Sequence, residues 1–390
     1  MSMTKQELIM LQSLPLDIKI AKSLARLREW VGYYGEDNVY ISFSGGKDST
    51  VLLHLVRSIY PNVPAVFSNT GLEYPELVKF VQREKVSVEA DKTFEDIAKE
   101  NECSVEKLQK LNECKDISEI EAKDGLREVY IPRRNLVMIR PEKSFRQVIQ
   151  EEGYPVISKK TAMMIRTLQH PTEKNETTRK LYLSDYVIKD GKETDVQNRQ
   201  FRIAKKYRYL IDAPFKISHK CCNYLKKYPM KKYERETGRK PIIGTMANES
   251  RLREVAYLQH GCNVFDEKKG SCTPLGFWTE QDILAYIKQF GLDYAEIYGD
   301  IIEVEDEEGN KIYETTGENR TGCIYCMFGI QMEGTPNRFQ RLEKTHPQLY
   351  KYCMESLGFK EVCEFMSIPY KNEEEKGEEK IDNPNNNEGE

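Results

Sequence analysis

The residues with the most specific chemistry form the hexapeptide Ser44-Gly45-Gly46-Lys47-Asp48-Ser49. Ser44 closes the β-rich run VYISFS, and Ser49 opens the amphipathic run STVLLHLVRSIY. A loop that leaves a strand and enters a helix presents backbone N–H groups in one direction, and glycines let a phosphate approach them. The serines add hydroxyl donors and Lys47 adds charge. The sequence therefore predicts an anion site, which is not a Walker A loop because that motif's spacing is absent.

Ten cysteines form the second chemical signal, and four of them are grouped. Cys221-Cys222 are adjacent, and Cys323-x-x-Cys326 lies about a hundred residues later. Two such groups, brought together, supply four thiolates to zinc or to an iron–sulfur cluster, and spacing alone does not choose between these metals. Cys262 and Cys272 are substitute ligands if the adjacent pair cannot supply two. Scattered cysteines fit the role of small buried apolar residues: Cys103, Cys114, Cys353 and Cys363.

The elements that position the loop follow from hydrophobic periodicity. Residues 15–34 have helical spacing, VYISFS and VPAVFSN read as buried strands, and STVLLHLVRSIY between them reads as a helix. Strand, Gly-rich loop, helix and strand form a βαβ unit, which predicts a parallel sheet.

Further helices and strands are predicted after the βαβ unit. LEYPELVKFVQREKV and the charged residues 90–130 are predicted to be helical, and KPIIGTMA contains a strand. WTEQDILAYIKQFG is a helix opened by a capping box of Thr279 and Asp282. A hairpin turns at Gly309-Asn310.

Composition bounds the class of protein. The chain has 390 residues, of which 39% are hydrophobic, so it can bury a full core. It has no apolar run long enough for a membrane span and no signal peptide, which favours the cytoplasm. The net charge of −4 is concentrated in the acidic residues 373–390, which we expect to be disordered. The basic, tyrosine-rich residues 203–240 could meet nucleic acid phosphates, although such runs are often only solvated faces.

The hexapeptide resembles the PP-loop motif S-G-G-x-D-S of the ATP pyrophosphatases. Four further segments resemble the phosphoadenosine phosphosulfate (PAPS) reductase branch of that superfamily, in the family's order: FSNTGLEYPE, GYPVISKK, GTMANESRLRE and FWTEQDILAYI. Two positions depart from the family: Asn69 replaces an Asp, and the Gly-x-Arg element reads Gly244-Thr245-Met246.

The resemblance implies an α/β fold with a Rossmann-like parallel sheet of the adenine nucleotide alpha-hydrolase (PP-loop) type and helices on both faces, followed by a mostly helical, cysteine-bearing C-terminal region. The implied organisation is an N-terminal helical segment (1–34), the nucleotide-binding domain (35–300) with insertions at about 90–130 and 170–235, the CxxC region (301–372) and the acidic tail (373–390).

The resemblance also assigns site residues. The candidates for nucleotide binding are Ser44, Gly45, Gly46, Lys47, Asp48, Ser49, Asn69, Thr70, Gly71, Glu73, Lys159, Glu249 and Ser250. The candidates for catalysis are Lys47, Asp48, Arg251 and Arg253. Asp48 could touch Mg²⁺ bound with ATP, or it could cap the following helix. Adenylylsulfate (APS) reductases hold a 4Fe-4S cluster through a Cys-Cys pair and a distant CxxC, so the likeness favours that cluster, with zinc as the alternative, on Cys221, Cys222, Cys323 and Cys326.

Three functions remain open at this point. The favoured one is an ATP pyrophosphatase that releases AMP and pyrophosphate while it adenylates an acceptor, with sulfur insertion or transfer aided by the cluster and a sulfur or electron donor protein. Nucleic acid is one candidate acceptor and a free small molecule is another. The second is an assimilatory APS or PAPS reductase, but Cys363 in EVCEF lacks the Gly and His that follow the family's catalytic cysteine. The third is a non-catalytic nucleotide-binding protein.

Overall fold

The computed structural model describes residues 3–189, 192–267 and 269–372, so the predicted disorder of 373–390 lies outside the described residues. The α-helices are α1 (Lys5–Gln12), α2 (Leu16–Tyr34), α3 (Lys47–Arg57), α4 (Pro75–Gln82), α5 (Phe94–Glu100), α6 (Val105–Asn112), α7 (Phe145–Glu151), α8 (Lys159–Gln169), α9 (Glu176–Leu183), α10 (Tyr228–Thr237), α11 (Arg251–His260), α12 (Glu280–Phe290), α13 (Arg338–Thr345), α14 (Pro347–Lys351) and α15 (Phe359–Phe365).

The strands are β1 (Val39–Ser42), β2 (Ala65–Ser68), β3 (Arg83–Glu89), β4 (Ala122–Lys123), β5 (Leu126–Pro132), β6 (Leu136–Ile139), β7 (Val156–Ile157), β8 (Tyr186–Lys189), β9 (Lys192–Gln197), β10 (Lys240–Ile243), β11 (Asn263–Val264), β12 (Ser271–Cys272), β13 (Ile301–Glu305), β14 (Lys311–Thr315) and β15 (Met327–Phe328). Among the described residues, no helix has both the length and the apolar character of a membrane span.

The chain forms two compact units. The first contains residues 1–148 and 220–324, and the second contains residues 149–219 and 325–390. The predicted nucleotide-binding range 35–300 therefore contributes residues 149–219 to the second unit.

A six-stranded sheet lies at the centre of the first unit, in the order β11-β12-β10-β1-β2-β6. Every pair in it is parallel except β11 with β12. The predicted α/β class with a parallel sheet flanked by helices is thus confirmed. Strand order reverses between β1 and β10, and in open parallel sheets the carboxyl ends at such a point form a crevice.

The predicted βαβ unit is present. Strand β1 buries Val39, Tyr40 and Ile41, as a central strand of a parallel sheet should. Helix α3 buries five apolar side chains and connects β1 to β2. Helix α12 begins with the predicted capping box, in which Thr279 and Asp282 exchange hydrogen bonds. The predicted hairpin is also present, as β13 paired with β14.

The region after α4 differs from the prediction. Residues 83–132 do not form helices throughout: β3 and β5 pair antiparallel from Arg83↔Pro132 to Glu89↔Leu126, with β4 beside β5. Helices α5 and α6 pack on this small sheet, and their shared core includes Phe94, Ile97 and Val129. Strand β5 was missed because its exposed charged residues obscure the alternating pattern. In this strand Val129 and Ile131 are buried and the residue between them is not.

The second unit is built from short elements. Strands β7 and β15 form a two-stranded parallel sheet, and β8 and β9 form a hairpin. Helices α8 and α9 come from the first segment of this unit, and α13, α14 and α15 come from the second. Within the C-terminal region, which was predicted to be mostly helical, the chain breaks at His346-Pro347 between α13 and α14. Proline cannot continue the hydrogen bonding of a helix.

A buried lysine joins three elements of the first unit. Lys19 is only 2% exposed, and its Nζ donates to the Gln12 carbonyl and to Asp282 Oδ2, both at 2.6 Å. Asp282 also belongs to the capping box of α12, in which Thr279 is the N-cap. One ammonium group therefore fixes the end of α1, the first turns of α2 and the start of α12.

Replacing Lys19 with methionine should destabilise the first unit by about 3 kcal/mol, because it leaves a buried carboxylate without its cation. Urea unfolding followed by tryptophan fluorescence measures this unit selectively, since Trp30 and Trp278, the chain's two tryptophans, are both fully buried within it. Lys22→Met, an exposed position one turn further along α2, is the matched control and should change the free energy little. Equal effects of the two variants would contradict the structural role of Lys19.

Candidate functional site

The loops after β1 and β10 meet at one edge of the central sheet. Ser42 and Ile243, the last residues of these strands, are register partners. The hexapeptide follows the first strand, and Gly244 follows the second. A Cβ atom on Gly244 would lie 3.2 Å from the Asp48 carbonyl oxygen, so the two loops are in close contact. The crevice expected at the reversal of strand order is therefore walled by the hexapeptide.

The hexapeptide has the conformation of an anion loop. Gly45 has φ +75°, and a Cβ atom there would lie 2.6 Å from Val81 Cγ2. Ser49 Oγ accepts from the Ser44 N–H and donates to the Gly46 carbonyl, which closes the loop on itself. Gly46 is the N-cap of α3 and has no capping side chain. The N–H groups of the first helical turn thus have no partner within the helix. Gly46, Lys47, Asp48 and Ser49 line the cavity beside the loop, where such groups suit an anion.

Asp48 lies in the first turn of α3, and no side chain caps this helix. The capping interpretation of Asp48 is therefore wrong. Its carboxylate forms no hydrogen bond with another described residue and lines a cavity of about 430 Å³. Carboxylate oxygens are ligands that Mg²⁺ accepts, so the residue present fits the predicted contact with this ion.

Burial raises the pKa of Asp48 to about 6, and repulsion from Glu249 and Glu280 adds to the shift. Lys47 and Arg320 act in the opposite direction without cancelling it. A carboxylate held in such a place is destabilised until a cation reaches it. Shifts of this kind are common at functional sites.

Lys47 is held across the mouth of the loop. Its side chain is 5% exposed, and its Nζ lies 3.1 Å from Glu280 Oε1 and 5.1 Å from the centre of the Tyr298 ring. The Tyr298 hydroxyl lies 2.5 Å from Thr321 Oγ1. Burial raises the pKa of Tyr298 to about 12, so this hydroxyl stays protonated at neutral pH.

Three further cations line the same cavity: Lys226, Arg253 and Arg320. Arg253 is paired with Glu249. Arg320 forms no ion pair with another described residue, and it is near enough to Asp48 to affect its pKa. Positive groups thus surround the anion loop on several sides, which suits a ligand with more than one phosphate.

The residues Glu249, Ser250, Arg251 and Arg253 do not act as one group. Glu249 and Arg253 line the cavity of the loop. Ser250 is the N-cap of α11, where its hydroxyl accepts from the Arg253 N–H at 3.3 Å. Arg251 lines a different cavity, together with Lys5 and Leu8 of α1. The structure therefore brings Arg253 to the loop and gives Ser250 a structural role.

The segment Asn69–Glu73 forms a turn that binds itself. The Glu73 carboxylate accepts from the backbone N–H and the hydroxyl of Thr70, and Asn69 Oδ1 accepts from the Gly71 N–H at 3.2 Å. None of these residues is among those that line the cavity of the loop. Glu73 reaches that cavity only through Lys226, whose Nζ lies 4.0 Å from Glu73 Oε1.

Two predicted site residues belong to the second unit. Lys159 is the first residue of α8 and is exposed. Cys326 precedes β15, and its carbonyl accepts from Arg338 Nη1 at 2.6 Å. The predicted cysteine set is thus divided, with Cys221, Cys222 and Cys323 in the first unit.

Two cysteines of the first unit, Cys222 and Cys323, interact with Lys226. Cys221 Sγ and Cys222 Sγ are 4.0 Å apart, at the start of a helix that continues through a π-helical turn, Asn223–Lys227. Burial lowers the pKa of Lys226, but the hydrogen bond and charge of Cys323, with Glu73 and Cys222, outweigh burial and raise it. π-helical turns are frequent at functional sites.

A thiol donor set fits zinc or an iron–sulfur cluster. Two thiolates on one tetrahedral zinc would stand about 3.8 Å apart, given Zn–S bonds of about 2.3 Å, so the adjacent pair also suits zinc. Among the described residues, no three His, Cys, Asp or Glu side chains already converge on one point.

The remaining cysteines that could act as ligands or nucleophiles are buried. Cys262 and Cys272 lie on or beside the edge strands of the sheet, and burial raises the pKa of both thiols. Cys363 is fully buried in α15, and burial raises its pKa to about 12. Such thiols are not nucleophilic at neutral pH.

Sequence reasoning missed four residues that line the cavity: Lys226, Glu280, Tyr298 and Arg320. Glu280 lies inside the FWTEQDILAYI segment, so the resemblance of that segment to the family could have identified it as a site residue. Arg320 lies three residues before Cys323 and lines the same cavity as Met246, the residue at which the family pattern expects arginine. No local pattern marks Lys226 or Tyr298, which reach the cavity only through the fold.

An anion loop at the strand-order reversal of a parallel sheet defines a nucleotide-binding protein of the PP-loop type. The chain matches the sequence model of the phosphoadenosine phosphosulfate reductase domain over residues 38–130 and 143–327, which is more than half of its length. It belongs to that family, a family of enzymes, as the resemblance predicted.

One solved structure to which the chain is similar is the crystal structure of phosphoadenylyl-sulfate (PAPS) reductase from Candida auris, in its phosphate complex. The identity is 13%, the TM-score is 0.32, and the match covers 76% of this chain and 91% of that chain. No curated protein matches the sequence.

Replacing Asp48 with asparagine should stabilise the first unit at pH 7.5 by about 1–3 kcal/mol, because the native carboxylate is ionised there in a desolvated place. The folded pKa of about 6 lies above the ordinary value of 3.8 for an aspartate, so the folded state holds the proton more tightly. Stability therefore falls as pH rises through this window, and the gain from asparagine should shrink as pH falls from 6 towards 4. Urea unfolding of both proteins at pH 7.5 and pH 4 measures this. A gain that does not change with pH would contradict the shift.

Proposed function

We propose that the chain binds ATP in the cavity at the hexapeptide and cleaves it between the α and β phosphates, transferring AMP to an acceptor oxygen. The observation that carries the proposal is the intact Ser44–Ser49 loop, whose amides face a cavity lined by Lys47, Arg253 and Arg320. An APS or PAPS molecule would bring no β and γ phosphates to this loop. A complete anion loop with surrounding cations therefore favours a triphosphate.

In this reaction the acceptor oxygen attacks the α phosphorus, and the bond from that phosphorus to the bridging oxygen of the β phosphate breaks. Pyrophosphate leaves with the electron pair of the broken bond. The loop amides and the hydroxyls of Ser44 and Ser49 would hold the leaving pyrophosphate. Lys47, Arg253 and Arg320 would stabilise the charge that develops at the α phosphate and on the leaving group. Mg²⁺, bound with ATP and beside Asp48, would neutralise phosphate charge.

Reduction of APS or PAPS, the second candidate, is disfavoured by Cys363. That reaction needs a mobile thiolate, whereas this thiol is fully buried with a pKa of about 12. A sulfur or electron donor protein and a cytoplasmic location belong to the proposal. A nucleotide-binding protein without turnover is the outcome that the following experiment must separate from it.

The test is release of pyrophosphate and AMP from ATP labelled at the α phosphate, with sulfate, small-molecule and oligonucleotide acceptors supplied in turn. Arg253→Ala should slow release by about a hundredfold, the cost of removing one group that stabilises charge in a transition state. Arg251→Ala, two residues away but facing another cavity, should have a much smaller effect.

Each other outcome has a definite meaning. ATP binding without any AMP would establish the non-catalytic alternative. Sulfite formed from APS or PAPS with a thiol donor would establish the reductase. Equal losses in the two arginine variants would show that Arg253 does not act at the loop.

We propose further that Cys221, Cys222, Cys323 and Cys326 hold a 4Fe-4S cluster that serves the sulfur chemistry. The grouping of thiols around Lys226 supports this, together with the family's pattern. When bound, such a cluster supplies electron transfer or a sulfur-binding iron. The cysteines themselves would fix the loop at 319–322, which lines the nucleotide cavity immediately before Cys323.

Protein purified without oxygen should be brown and contain iron and sulfide, and Cys323→Ser should lose the colour and most of the iron. Cys114→Ser is the matched control and should keep both. Cys114 is a half-buried thiol that packs against the core formed by the small sheet of β3, β4 and β5 with α5 and α6. Colourless protein that contains zinc would replace the cluster with the alternative metal. Iron retained in Cys323→Ser would show that this residue is not a ligand.

A further inference from the structure

A group of cations lies on the surface of the second unit, whereas the residues of the nucleotide cavity belong to the first. Arg199, Arg202 and Lys205 line a concave surface of about 540 Å³, with Ala204 between the cations. All three belong to one continuous segment that follows the hairpin of β8 and β9. A concave surface lined by three cations is suited to an oxyanion such as a phosphate.

The charge of this surface is not balanced by its own ion pairs. Asp185 is shared by Arg202 at 3.0 Å, Arg208 at 3.1 Å and Lys205 at 3.3 Å. Arg199 Nε donates to the side-chain oxygen of Gln197, at 3.2 Å. One carboxylate thus serves three cations, and a fourth has no carboxylate at all among the described residues.

Other charged residues of the hairpin and of the segment after it nearly balance one another. Glu193, on β9, accepts from the Ser184 hydroxyl at 2.6 Å. Lys206, the next residue after Lys205, has its Nζ 4.9 Å from the centre of the Tyr207 ring. Asp195, Lys189 and Lys192 are exposed on the hairpin. These residues add cations and carboxylates in similar number, so the excess of positive charge around Asp185 remains.

Exposed aromatic rings accompany these cations. Phe201 lies between Arg199 and Arg202 in the chain and is 47% exposed. Tyr186 and Tyr209 are each 43% exposed, in the same unit. Exposed rings next to cations are the combination by which proteins bind single-stranded nucleic acid, because unpaired bases stack on rings while the backbone phosphates meet lysine and arginine. Free phosphate would use the cations and leave the rings without a partner.

We infer that the surface formed by Arg199, Phe201, Arg202 and Lys205 binds the backbone and bases of single-stranded nucleic acid. This binding does not require the proposed ATP chemistry, so it can fail or succeed independently of it. The structure also narrows the region that the sequence suggested. Of the basic residues 203–240, only 203–219 belong to this unit, and two of the cations that form the concave surface lie before residue 203.

The test is fluorescence anisotropy of labelled, unstructured 20-nucleotide DNA and RNA strands over a range of salt concentrations. A non-hydrolysable ATP analogue is present throughout, so that the nucleotide cavity is occupied. The variant Arg199→Gln/Arg202→Gln/Lys205→Gln should bind at least about tenfold more weakly. The slope of log affinity against log salt should become shallower by about 2, since three phosphate contacts are lost on a single strand.

A matched control removes the same charge from the same unit elsewhere. Lys344→Gln/Lys351→Gln/Lys360→Gln changes three exposed lysines of the C-terminal helices. It should keep the affinity and the salt slope. Circular dichroism and thermal unfolding of both triple variants show whether each is folded. Equal losses in the two would mean that net charge alone attracts the strand, which would overturn the proposal.

The variant Phe201→Ala tests whether the ligand of this surface is nucleic acid or another source of phosphate. It should weaken binding of the single strand by about fivefold or more, as loss of one stacking platform does, and weaken binding of a duplex of the same sequence much less. Loss of affinity equal for both strands and duplex would overturn the stacking role. Absence of strand binding by the unaltered protein, together with binding of anionic phosphatidylserine vesicles or of inorganic phosphate, would overturn the proposal in favour of those ligands.

Discussion

The backbone at Gly45 is the constraint on which the nucleotide cavity depends. Gly45 has φ +75°, and its missing side chain leaves room for Val81 and Leu77 of α4, which would lie 2.6 and 3.0 Å from a Cβ atom. The chain can therefore turn sharply after β1 while α4 packs directly on the turn. The first N–H groups of α3 consequently face the crevice between β1 and β10. Any other residue at this place would move either the turn or α4, and the anion loop would open.

A second feature of the site is that three of its four cations are already paired. Lys47 is held by Glu280, Arg253 by Glu249, and Lys226 by Glu73 and Cys323. These pairs keep positive charge stable and oriented in a cavity without a ligand. A phosphate that arrives must compete with carboxylates, so its affinity depends on how fully it replaces them. Asp48 is the opposite case, since its charge is the one that the site stabilises least.

The parts of the fold that the sequence predicted well have local causes. The βαβ unit around the hexapeptide, the capping box of Thr279 and Asp282 and the hairpin of β13 and β14 each depend on residues close together in the chain. The inserted sheet was missed because β3 and β5 pair over about forty residues and carry charges on their open face. The roles of Tyr298 and Arg320 were missed because distant loops bring them to the cavity.

The cysteines show how environment gives the same residue type different chemistry. Cys353 and Cys363 are fully buried in the second unit, and burial raises the pKa of both thiols, as it does for Cys272 in the sheet. These thiols act as small apolar side chains in a packed interior. Cys323 instead contacts the ammonium of Lys226. Lys226 also lines the nucleotide cavity, so any change in charge at Cys323 would alter the field that a bound phosphate experiences.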